Sequence, residues 1–185
     1  VCALLGATHP EAIRGLVLVD GGVNFPVPSG LGDSDIDQTL RVVLGPAMKR
    51  LERTFDSPTA YLEFVGEHQA VGPLLRGPDA DQVRRYLDHD VRPCAADPTK
   101  YASSCVLAAI RADGKDVIFH PALAGAVRRA VEQDVPIDFL WAPRGLFDEP
   151  QGLYDPERLK LLHVPDEVRV TKVPYTNHYS IVLSR

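Results

Sequence analysis

The chain has 185 residues, 45% of them apolar, which is enough for one hydrophobic core with an inserted lobe. Its net charge of −5 and pI near 5.6, with lysines and arginines scattered rather than striped, exclude a nucleic-acid or anionic-membrane binder. No apolar run approaches the length that crosses a bilayer.

Three cysteines, Cys2, Cys94 and Cys105, are odd in number and lack paired metal spacing. They read as buried thiols of a reducing, cytoplasmic compartment. Val1 stands inside the apolar run VCALLGA and Arg185 soon after a final apolar segment begins, so both ends read as cut and secretion stays open.

In chain order, 1–8 reads as the end of a buried helix closed by His9-Pro10. GLVLV, 15–19, is an unbroken apolar run of the kind a parallel strand covered on both faces requires. Asp20-Gly21-Gly22 ends it, and loops at the carboxyl ends of such strands are where an open α/β sheet places its ligand. From Asn24 the character changes. FPVPSG, 25–30, reads as a hinge, followed by helices without clear strands. Ser34 with Asp37 opens the first helix, which Gly45-Pro46 should bend or split, and Ser57-Pro58, Pro78-Asp79 and Asp97-Pro98 open three more. No internal repeat occurs. Asp88-His89-Asp90 reads as a solvated helix end rather than a metal cluster, because adjacent helix residues point to different faces. His68, His120 and His163 are isolated and lack ligand spacing.

The run 121–133 reads as a helix with Leu123, Val127 and Val131 on one face. IDFLWA, 137–142, reads as a second core strand, 143–154 as a long loop rich in Pro and Gly, 156–163 as a short helix and 168–173 as an alternating strand. Strand, helix and strand with short loops imply parallel crossovers. Pro174 stops the last strand, Tyr175-Thr176-Asn177 turns the chain, and His178 leads into the apolar run 179–183. A histidine on a loop between strand and helix is held by rigid scaffold yet open to substrate, which suits a general base.

VRVTKVPYTNHYSIVL, 168–183, resembles the carboxyl-terminal segment of the α/β-hydrolase fold, in which the catalytic histidine follows the last strand. ATHPEAIRGLVLVDGG, 7–22, resembles the helix exit and strand that follow the nucleophile elbow, and VPIDFLWAPRGLFDEP, 135–150, the next core strand with its acid-bearing loop. The resemblance implies a partial α/β-hydrolase fold: a three-stranded parallel sheet remnant with flanking helices and an inserted helical cap. Residues 1–26 and 120–185 would form the core and 27–119 the cap (lid). In that family the triad runs Ser, then Asp or Glu, then His. The resemblance carries the acid onto Asp148 and the base onto His178, with Asp20 as the alternative acid; Glu149 and Asp155 share the loop of Asp148. Read from the residues alone, Asp20 is a turn-forming Asp before Gly-Gly. Phe25 and Trp141 stand near the active end of core strands and either line the pocket or pack the core.

No G-x-S-x-G occurs in the sequence: Ser29 falls in the hinge and Ser103-Ser104 in an expected helix. By family order the elbow and oxyanion hole should precede Val1, so this chain alone is expected to be inactive. The reaction implied is hydrolysis of a small-molecule carboxylic ester or related acyl substrate through a covalent intermediate, with no cofactor or metal. The same fold also hosts epoxide and haloalkane hydrolases with an aspartate nucleophile. A non-catalytic, truncated ligand-binding or interaction module is the other reading. Without the nucleophile strand beside it, GLVLV becomes an open apolar edge, which predicts self-association.

Overall fold

The structure, a computed structural model, describes residues 1–24 and 33–184. In chain order the elements are α1 (Cys2–Thr8), β1 (Leu16–Val19), α2 (Asp33–Leu51), α3 (Pro58–Gly66), α4 (Gly72–Arg76), α5 (Ala80–Asp88), β2 (Val91–Pro93), β3 (Tyr101–Ser103), α6 (Leu107–Phe119), α7 (Ala126–Glu132), β4 (Ile137–Trp141), α8 (Pro156–Leu161), β5 (Arg169–Lys172) and α9 (Ser180–Leu183). Short 3-10 turns occupy Pro10–Ala12 and Pro121–Leu123. The described residues fall into two compact units, one within 1–27 and 118–183 and the other within 28–117 with Ser184.

The first unit is built on a parallel sheet in the order β1-β4-β5, with Leu16 opposite Ile137 and Asp138 opposite Arg169. Side chains alternate across a strand, so Leu16, Leu18, Ile137, Phe139 and Trp141 share one face. That face is buried with Ala126, Val127 and Ala130 of α7 and Leu159 of α8. α1 packs on α7, and Gly6 permits the approach: a Cβ there would stand 3.0 Å from Leu16 and 3.3 Å from Ala130. The opposite face carries Val17, Val19 and the Asp138–Arg169 ion pair. Val17 is 63% and Val19 39% exposed. The expectation of a strand covered on both faces therefore fails, since among the described residues β1 is covered on one.

Two helical expectations in this unit are refined. The run 121–133 is split by Gly125, whose φ of +67° no regular helix contains, into the 3-10 turn and α7. The cysteines are not buried: Cys2 and Cys105 are exposed and Cys94 is half-buried, all free.

The second unit departs further from the sequence reading. α2 is a single helix, not split at Gly45-Pro46. The helix expected from Asp97-Pro98 begins only at Leu107, as α6, and an antiparallel ribbon of β2 and β3, with Val91 opposite Ser103, stands where its first half was expected. The Asp97 carboxylate accepts both the N–H and the hydroxyl of Thr99, an Asx-type turn that competes with helix initiation. Phe55 then pairs with Tyr101 through both backbone groups. Ser103 consequently lies on a strand and Ser104 beyond it, not inside a helix.

Asp90 is the other surprise in this unit. Its side chain is only 13% exposed and pairs with Arg50 at 3.2 Å, while accepting hydrogen bonds from the Ser103 hydroxyl at 2.6 Å and the fully buried Tyr61 phenol. It joins α2, α3 and the ribbon, where a solvated helix end had been expected.

Candidate active site

The carboxyl ends of β1, β4 and β5 lie at one end of the parallel sheet, and each delivers a loop there. β1 ends at Asp20, whose N–H donates to Leu140 at 2.7 Å, the last ladder bond. Asp20 then turns at φ +44°, a left-handed conformation that Asp tolerates better than most residues because its short side chain bonds locally. Its carboxylate is 1% exposed. One oxygen accepts the backbone N–H of Ala142, just past β4, at 2.9 Å. The other lies 2.8 Å from His178 Nδ1. The Tyr154 phenol is pushed up to about 12 by burial and by the Asp20 charge, and its hydroxyl donates to the Val23 carbonyl.

His178 is positioned from β5. The Val173 N–H continues the ladder to Trp141, the Thr176 hydroxyl closes back on the Val173 carbonyl, and Tyr175 turns at φ +63°. Asn177 is 3% exposed, and its side-chain oxygen accepts the N–H groups of Tyr179 and Ser180 at the start of α9. The His178 side chain is 33% exposed, so the imidazole rests on a buried carboxylate and still reaches solvent.

Asp148, expected to be the carboxylate partner of His178, makes other contacts. One of its oxygens accepts from Arg144 at 2.8 Å and the other from the Asn177 amide at 2.8 Å. Arg144 adds a backbone bond to Thr176 and a side-chain bond to the Tyr175 carbonyl. The loop after β4 is thus clamped to the loop that carries His178, while the carboxylate touching the ring is Asp20, the alternative acid.

No protein-family model and no curated protein matches the sequence. Among solved structures, that of an E-2-(acetamidomethylene)succinate hydrolase matches with a TM-score of 0.61, at 15% identity, over 99% of this chain. The fold is an α/β-hydrolase fold. The chain spans 57% of the length of that hydrolase. Three parallel strands with flanking helices are the part of the α/β-hydrolase fold seen here.

Of the remaining residues singled out in the sequence, Phe25 lies outside the described residues. Trp141 is buried in the core cluster, with the Lys172 ammonium 5.6 Å from its ring centroid. Glu149 accepts from the Phe147 N–H, and Asp155 caps α8 through the Arg158 N–H. Among the described residues no three His, Cys, Asp or Glu side chains gather as metal ligands, and no helix is long and apolar enough to cross a membrane. Asn177 and Tyr154 were not anticipated. An Asn placed just before an apolar helical run is a capping signal that would have found the first; no local pattern reveals the second.

Proposed function

We propose that this chain carries the acid–base half of a hydrolase active site, with Asp20 orienting His178, and that the reaction is hydrolysis of a carboxylic ester or related acyl compound. The observation that supports this most is the 2.8 Å contact between the almost fully buried Asp20 carboxylate and His178 Nδ1. A carboxylate at Nδ1 fixes the neutral ring with its proton on that nitrogen, leaving Nε2 as the base. As Nε2 takes the proton of a nucleophile, the Asp20 charge stabilises the imidazolium, and the same proton is later returned to the leaving group. The nucleophile and the oxyanion donors would come from residues outside this sequence, which contains no G-x-S-x-G. Arg144, Asp148 and Asn177 act as positioning residues for the histidine loop. The second unit takes the role of a cap from its place in the chain, between the first and second core strands.

The test is turnover of p-nitrophenyl acetate by a longer chain that joins these residues to an elbow-bearing segment. His178→Ala and Asp20→Ala should each lower kcat by about 10³-fold or more, and Asp148→Ala by much less. Undiminished turnover in His178→Ala would remove the histidine from the mechanism.

A further inference from the structure

A cavity of about 430 Å³ opens in the first unit between the segment leading into α7, the loop after α8 and the residues that follow Asp20. Neither Asp20 nor His178 lines it. Its size lies within the range of small-molecule sites. Phe119, Leu123, Leu162 and Val164 supply apolar walls, and the ionisable lining groups are Arg128, His120 and His163. Among the described residues no carboxylate lines it, in a chain whose net charge is −5.

The two neighbouring arginines of α7 are used differently. Arg129 donates to the Ala122 and Ala124 carbonyls and so braces the turn that forms the cavity wall. The Arg128 guanidinium makes no hydrogen bond or ion pair among the described residues. Its guanidinium folds over Gly125, another lining residue: a Cβ on that glycine would stand 3.3 Å from Arg128 Nη2. His120 Nδ1 accepts the Ala122 N–H at 3.1 Å, so the neutral ring carries its proton on Nε2 as a second donor. The Arg128 guanidinium and the His120 Nε2–H, set beside apolar walls with the Asn24 amide, match an anion that carries an apolar body, and a carboxylate fits the guanidinium fork.

We propose that this cavity binds a small aliphatic monocarboxylate, its carboxylate on Arg128 and its chain against Phe119, Leu123 and Leu162. The assignment is independent of the Asp20–His178 pair. It is tested by titrating the ¹⁵N-labelled chain with octanoate and, separately, with 1-octanol. Octanoate should give saturable shifts at Gly125, Arg128 and Leu162, and 1-octanol should bind about tenfold more weakly or worse. Arg128→Gln, an exposed substitution, should weaken octanoate by about tenfold while leaving 1-octanol unchanged. His178→Ala should leave octanoate binding intact. Equal affinity for the two probes, no saturable binding, unchanged octanoate affinity in Arg128→Gln, or its loss in His178→Ala would each overturn the assignment.

Discussion

Asp20 meets His178 because its backbone adopts φ +44° at the end of β1 and its side chain is locked by the Ala142 N–H. The sequence shows a turn-forming Asp before two glycines; it does not show that the turn is left-handed, nor that the side chain folds back over the sheet. His178 was legible because strand, proline, turn and apolar run frame it locally. The partner was not, since Asp148 and Asp20 both stand in loops at the carboxyl end of the sheet. What separates them is side-chain competition: Arg144, four residues before Asp148, and Asn177 occupy its oxygens. Asn177 is the more consequential of the two. Asn177→Ala removes acceptors for two N–H groups and leaves Asp148 short of a donor, so unfolding in urea should show a loss of about 1–3 kcal/mol.

At the scale of elements, the loop after β4 is held by a close backbone approach. A Cβ on Gly152 would lie 2.1 Å from the Ala142 carbonyl oxygen, and Ala142 is the residue whose N–H holds Asp20. Gly152→Ala should therefore destabilise the fold by about 1–3 kcal/mol, read from the urea midpoint, and shift the Ala142 amide resonance. A Cβ on Gly145 meets the Glu149 carboxylate, a flexible group that can move aside, and Gly145→Ala should cost less. The core strands were legible as apolar runs, but the β2–β3 ribbon was not. Its three-residue strands are too short for a period, and the Asp97–Thr99 turn that sets them imitates a helix start.

The ribbon also gives the second unit an acid-sensitive joint. Burial works to raise the Asp90 carboxyl, but hydrogen bonds from Ser103 and Tyr61 and the Arg50 charge outweigh it and hold it below the ordinary 3.8. A carboxyl depressed by folding contributes stability above its unfolded pKa and loses it as pH falls through the folded value. Circular dichroism of the chain should show this contribution fading below about pH 3.8, and Asp90→Asn should flatten that part of the profile.

For the whole molecule, the parallel sheet ends at β1, which pairs with β4 on one side alone among the described residues. Leu16 and Asp20 donate toward β4, so the alternate N–H groups of Val17 and Val19 face the open edge. We propose that this edge pairs with that of a second copy. Sedimentation should show concentration-dependent association, and Val17→Lys, a charge on an exposed edge position, should shift the chain toward monomer without unfolding it. A monomer at every concentration would remove the proposal. The sequence changes from apolar strand runs to amphipathic segments at Asn24, because a strand and a surface helix bury their side chains with different periods, and the described residues cluster into two units that part at 27 and 118.

The tautomer of His178 tests the pairing most directly, by long-range ¹H–¹⁵N correlation on the neutral ring. The unsubstituted chain and Asp148→Asn should both carry the proton on Nδ1. In Asp20→Asn the amide oxygen stays on the Ala142 N–H and the amide nitrogen faces the ring, so the proton should move to Nε2. A ring that changes tautomer in Asp148→Asn and keeps it in Asp20→Asn would contradict the account.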